Sequence, residues 1–113
     1  TFSGERIVNT GLSKTGCPYV WGSTGPNSFD CSGFTQWVYR QNGIYIPRTS
    51  SEQKAAAKKV VSLSELEVGD ILWRSGHVGI YIGNGRYVHA PHKGDVVKVS
   101  YGVGKFTCGL RYQ

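Results

Sequence analysis

The sequence predicts an α+β domain, with N-terminal helices packed on a C-terminal antiparallel β-sheet. Apolar residues recur at helical spacing in the first half of the chain, and from Val60 the period changes to two. Helical segments come first and strand segments after, joined by short links, which suits hairpins better than βαβ units. At 113 residues the chain is expected to form one domain over 1–113, large enough for a real core but not for two.

The elements follow in order. Ser3 can cap a first helix running to about Lys14, with Ile7, Val8 and Leu12 inward and Gly16 past its end. Residues 18–22 read as extended, and a loop rich in Gly, Ser, Pro and Asn, 22–28, delivers the chain to Asp30. Asp30 is a good N-cap, and Phe34, Trp37 and Val38, with Gln41 next on the stripe, describe about three helical turns before Gly43. After an extended piece at 44–47, Thr49 and Glu52 form a capping-box pattern ahead of an Ala-rich helix to Lys59. Strands are expected at 60–62, 70–74, 77–82, 86–90, 96–100 and 106–112.

Cys31 falls in the first turn of the second helix. The partial positive charge of a helix N-terminus favours thiolate over thiol, so Cys31 is expected to carry a lowered pKa and to act as a nucleophile. The hairpin of 77–90 holds two of the three histidines. A two-residue turn at Asn84-Gly85 would put His77 and His89 on opposite faces. A three-residue loop, 83–85, pairs Ile82 with Arg86 and His89 with Gly79, and makes the histidines diagonal neighbours roughly 7–8 Å apart at the backbone. The second register also gathers Val78, Ile80, Ile82, Val88 and Ala90 on one face, so it is the one expected. Docking the Cys31 helix on the face of His77, Gly79, Tyr81, Tyr87 and His89 would bring the thiol to His77. Cys31 would then attack a carbonyl, His77 would handle its proton, His89 would orient His77, and the Cys31 backbone N–H would serve the oxyanion. His92, just past Pro91, reads as a solvated loop residue.

Composition narrows the other classes. Thirteen Lys and Arg against seven Asp and Glu give +6, but only Lys58-Lys59 are adjacent, so no nucleic-acid stripe is visible. The charge reads as solubilising or as attraction to a polyanion such as an acidic wall polymer. No apolar run approaches the ~20 residues of a membrane span, and these residues hold no basic-then-apolar leader, although Thr1 could follow a cleaved one. Cys17 and Cys108 either pair, in an exported protein, or stay as buried reduced thiols. Neither Cys-x-x-Cys nor His-x-x-x-His occurs, so no metal is expected.

Several motifs now stand in one order: Tyr19-Val-Trp-Gly22, Asp30-Cys-Ser-Gly33, Pro47-Arg-Thr-Ser50, Val68-Gly-Asp70, His77-Val-Gly-Ile-Tyr81 and His89-Ala-Pro91. In this combination, covering 16–101, the chain resembles the NlpC family of papain-like cell-wall cysteine peptidases. The resemblance implies a papain-like α+β fold and hydrolysis of bacterial peptidoglycan stem peptides, typically between D-γ-glutamate and diaminopimelate or lysine. No metal or organic cofactor is implied. By motif, Cys31 resembles the nucleophile, His77 the base and His89 the third polar residue of a Cys-His-His triad. Tyr19 resembles the tyrosine lining the site near the oxyanion, and Asp30, Ser32 and Arg48 resemble residues of the acyl-side groove. Arg48 could bind a substrate carboxylate bidentately or simply pair with Glu52. Tyr19 and Trp21 could equally be core aromatics. The short Arg74-Ser-Gly76 link departs from many relatives and should leave one groove wall low. A secreted or wall-associated, monomeric enzyme is expected, with any wall-binding module supplied by a larger parent. An amidase or acyltransferase on the same fold, or a silent wall-binding domain, are the competing functions.

Overall fold

The computed structural model describes residues 3–112. Three helices, α1 (Gly4–Leu12), α2 (Cys31–Gln41) and α3 (Ser50–Ala56), precede six strands. These are β1 (Lys59–Val61), β2 (Ile71–Arg74), β3 (His77–Gly83), β4 (Arg86–His89), β5 (Lys98–Tyr101) and β6 (Cys108–Arg111). They form one antiparallel sheet in the order β1-β6-β2-β3-β4-β5. The α+β architecture is the expected one, and two helices end earlier than expected for local reasons. Helix α1 stops at Leu12 because Ser13 and Thr15 turn their hydroxyls back onto the carbonyls of Thr10 and Leu12. Helix α3 ends at Ala56, where Ala57 turns extended. Its capping box is formed as expected, Thr49 and Glu52 satisfying each other's backbone N–H.

The hairpin combines features of both registers. Gly83 pairs with Arg86, so the turn is the two-residue Asn84-Gly85, and both central residues have positive φ, 56° and 73°. That is the twist-matched turn Asn-Gly favours. The expected pairing of Ile82 with Arg86 is therefore incorrect. A bulge at Ile82 then restores parity, so Tyr81 faces Tyr87 and Ile80 faces Val88. Gly79 comes against His89, and a Cβ built on Gly79 would lie 3.2 Å from that of His89.

The helices also choose the other face of the sheet. Phe34, Val38 and Tyr39 of α2 are fully buried with Ile7, Ile71, Val78, Ile80, Val88, Ala90 and Leu110. The face bearing His77, Gly79, Tyr81, Tyr87 and His89, with Leu72 opposite Gly79, packs instead against Phe106. The expectation that α2 covers the histidine face is corrected here. Four branched or small apolar residues offer α2 more transferable surface than two histidines and a glycine, and burial of apolar area decides the docking. Trp37 is only half-buried, at the edge of the core, stacked edge-on to Phe29 with Lys14 above its ring. Cys17, Cys31 and Cys108 are all free thiols, Cys108 in the core, in accord with the reduced alternative.

Candidate active site

Helix α2 crosses the apolar face so that its N-terminus ends beside the start of β3. Asp30 caps it, Oδ1 accepting from the Gly33 N–H at 2.6 Å. The other oxygen accepts from Gly22 N–H at 3.0 Å, and Arg48 closes a two-pronged ion pair on the same carboxylate at 2.6 and 3.2 Å. Arg48 also donates to Ser32 Oγ at 2.8 Å. Asp30 thus fastens the 19–22 loop, the first turn of α2 and Arg48 together. The partner of Arg48 is Asp30 and not Glu52, which is engaged in the α3 capping box.

Behind these residues lies a buried polar layer without an obvious signature in the sequence. Gln53, fully buried, donates to the carbonyls of Ser32 and Pro47 at 3.1 and 2.9 Å and accepts from Thr35 at 2.9 Å. It ties α3 to α2 and to the segment carrying Arg48. Gly33 is equally constrained, because a Cβ there would lie 2.2 Å from the Ser23 carbonyl oxygen and 2.8 Å from Asp30 Oδ1. Gly33→Ala is expected to cost about 2–4 kcal/mol, as overpacking against backbone does. A denaturant midpoint unchanged from the parent would contradict this close approach.

Cys31 sits at the mouth of a cavity of about 450 Å³, within the range typical of small-ligand sites. The expected binding residues Tyr19, Asp30, Ser32 and Arg48 all line it. So does Trp21, which is 86% exposed and not the core aromatic its sequence also allowed. Gly76, in the tight β2–β3 turn, also lines the cavity. The Cys31 sulfur lies 4.0 Å from the Gly76 carbonyl oxygen and within reach of the Val78 N–H, so it rests on backbone to either side of His77. Among the described residues it makes no hydrogen bond to the His77 ring.

His77 and His89 do not line the cavity wall and are each 7% exposed. Nε2 of His77 and Nδ1 of His89 are 2.8 Å apart, and Nε2 of His89 is 2.8 Å from Ser100 Oγ on β5. Phe106 stacks on His77 and Tyr87 meets His89 edge-on, which fixes both rings. Nδ1 of His77 makes no hydrogen bond among the described residues, whereas no fully buried side-chain nitrogen or oxygen there lacks a partner. That nitrogen therefore opens toward solvent.

The electrostatics differ from the expectation of a lowered thiol pKa. Burial, and then the Asp30 carboxylate, push the Cys31 thiol up, and the N–H groups of Val78, Ser32 and Cys31 only partly offset this. Burial, with the Arg74 charge next, pulls His77 down to about 4. Burial, with His77 and Lys98 next, does the same to His89, to about 4. Both imidazoles are neutral at neutral pH, and the resting pair is thiol and imidazole. Burial, reinforced by Cys31 and Asp30, pushes the Tyr19 phenol up, so it stays a donor.

The lowered histidines carry a pH consequence. The unfolded chain, with imidazoles titrating near ~6.5, binds more protons than the fold between that pH and about 4. Stability is thus complete above the unfolded pKa and is lost as pH falls through this window. The thermal midpoint is expected to drop between pH 7 and 4, and to drop less in a His77→Gln/His89→Gln double variant. Equal slopes in both proteins would contradict the neutral buried pair.

The architecture is that of an α+β papain-like domain, its cysteine opening the helix that crosses the sheet. The family model for NlpC/P60 matches residues 16–107, and the chain belongs to the NlpC/P60 family. Probable endopeptidase Cgl2188 of Corynebacterium glutamicum is 53% identical over 91 residues, covering 78% of this chain and 43% of that protein. The bifunctional muramidase/DL-endopeptidase CwlT of Bacillus subtilis is 40% identical over 99 residues, covering 80% of this chain and 30% of that protein. The crystal structure of the NlpC/p60 domain of the peptidoglycan hydrolase SagA superposes with TM-score 0.87 at 39% identity, covering 96% of this chain and 98% of that one. The chain spans less than half the length of these curated relatives. No helix among the described residues is long and apolar enough to cross a membrane.

Proposed function

We propose that this domain is a cysteine endopeptidase that hydrolyses peptidoglycan stem peptides between D-γ-glutamate and diaminopimelate or lysine, as a catalytic unit outside the cell membrane. The observation that carries it is the seating of the Cys31 thiol, at a helix N-terminus, on backbone flanking His77, with the His77 ring held by His89. The names of the relatives, endopeptidases and peptidoglycan hydrolases, favour the same substrate. The net charge of +6 favours attraction to an anionic wall.

In this reading the Cys31 sulfur attacks the γ-carbonyl carbon of the glutamyl residue while its proton passes to Nδ1 of His77. The Cys31 backbone N–H and the Tyr19 hydroxyl receive the oxyanion. Collapse breaks the C–N bond, His77 protonates the departing amine, and water, deprotonated by His77, then hydrolyses the thioester. Arg48 keeps its Nε–H edge free of hydrogen bonds among the described residues while its other edge holds Asp30. That edge suits the α-carboxylate of a γ-linked glutamate.

Defined muropeptides with diaminopimelate or lysine at the third position, digested and read by mass spectrometry, test the proposal. The expected new amine is that of the third residue. A new amine on the first alanine would make the domain an amidase, and wall sedimentation without turnover would make it a binding module. Either outcome overturns the endopeptidase reading.

A further inference from the structure

Three adjacent strands each contribute one polar side chain to a single line: His77 from β3, His89 from β4 and Ser100 from β5, joined by two contacts of 2.8 Å. The line can form because Gly79, opposite His89, leaves room for the rings. Ser100 is paired with Tyr87 and lies diagonally from His89, on the same sheet face. The charged groups around the line do not end it. Asp95 is taken by Lys98 at 2.8 Å with His92 beside it, Arg74 faces His77, and Lys98 and Lys105 face His89. Tyr87 and Phe106 supply only ring faces and edges. Within the described residues the line ends on a neutral hydroxyl.

That ending creates a choice. Two neutral imidazoles and a hydroxyl can pass their hydrogen bonds in either direction. If Ser100 donates to Nε2 of His89, then His89 donates from Nδ1 to Nε2 of His77, and the His77 proton is left on Nδ1, the nitrogen open to solvent. Such a His77 cannot take a proton from sulfur. If Ser100 accepts from Nε2–H of His89, then His89 accepts from Nε2–H of His77, and Nδ1 of His77 carries a lone pair. Only the second direction serves the chemistry.

We propose that Ser100 is a positioning residue, the terminal acceptor of a Cys31-His77-His89-Ser100 relay that sets the tautomer of His77. This rests on the endopeptidase reading above and adds to it a fourth member that no family motif in the sequence marks. In the reaction the thiol proton moves from sulfur to Nδ1 of His77 and later to the leaving amine. His89 and Ser100 keep their own protons throughout, and the imidazolium is held because His89 still accepts from its Nε2–H.

Nitrogen chemical shifts of the imidazole rings in the unmodified protein give the first test, and they need neither substrate nor variant. Both His77 and His89 are expected to carry their neutral proton on Nε2. Protons on Nδ1 of both would overturn the relay. In the second test, Ser100→Ala is expected to lower kcat on a stem peptide about tenfold or more, part of the ~10²–10⁴ a positioned base supplies, with KM little changed. Ser100→Thr, which keeps a hydroxyl, should restore it. Ser100→Ala with the parent kcat and parent nitrogen shifts would overturn the proposal. Cys31→Ala run in parallel separates the two readings. If it retained activity, the cysteine mechanism would fail while the nitrogen shifts still reported on the relay.

Discussion

Cys31→Ala is expected to leave stem peptides uncut, with kcat lowered about 10⁴-fold or more, to whatever oxyanion donors and binding alone can achieve. The size follows from the chemistry. The neighbouring Ser32 hydroxyl accepts from Arg48 at 2.8 Å and that of Thr49 donates to Glu52 at 2.9 Å, so neither is free to take over as the nucleophile. Cys17 and Cys108 do not line the cavity. The substitution should scarcely affect the fold, because Cys31 only borders the core and the helix start rests on Asp30, which accepts from Gly33 N–H at 2.6 Å. The measurement is chromatography of muropeptide digests beside a thermal melt of the same sample. A folded variant that cleaves at the parental rate would remove Cys31 from the mechanism. Loss of cleavage together with loss of fold would leave the assignment to the active-site alkylation pattern of the parent protein.

The helix that Cys31 opens was readable because its determinants are local: an N-cap, a helical stripe and the residues between. The hairpin was half readable. Parity came out right because the apolar residues Val78, Ile80, Val88 and Ala90 demand one face, but the mechanism was a bulge at Ile82 with a two-residue Asn84-Gly85 turn. A bulge and a longer loop change parity alike, so a pattern of alternation does not tell them apart. The helix was assigned to the wrong face of the sheet because local sequence says which face of each element is apolar, not what else will cover the histidine side. Phe106, which does cover it, is twenty-nine residues beyond His77 in sequence and belongs to a separate small cluster. Ser100, Gln53 and Thr35 were invisible for the same reason. A serine in a strand or a glutamine in a helix has no distinctive spacing, and its importance arises only when a partner arrives from another element.

Asp70→Ala is expected to be strongly destabilising although it lies outside the site, costing about 3–5 kcal/mol. Asp70 is 2% exposed, and its carboxylate accepts from Arg111 at 3.0 and 2.7 Å and from the Glu67 N–H at 2.8 Å. Arg111, 8% exposed, also donates to the Glu65 carbonyl at 3.0 Å. The pair joins the entrance of β2 to the end of β6 and pins the turn between β1 and β2. Removing the carboxylate leaves a guanidinium in a nearly closed site, and that unpaired charge, more than the lost attraction, sets the cost. The nearby Glu67 carboxylate, 60% exposed and 3.6 Å away, is too solvated to replace it. Since a domain of this size commonly has 5–15 kcal/mol in total, such a loss should appear as a large fall in denaturant midpoint. An Asp70→Leu/Arg111→Met double variant tests the cause, because it removes the charge as well as its partner. Recovery of most of the stability would locate the penalty in the stranded cation. A double variant as unstable as Asp70→Ala would place it instead in the Glu67 turn, whose N–H loses its acceptor in both.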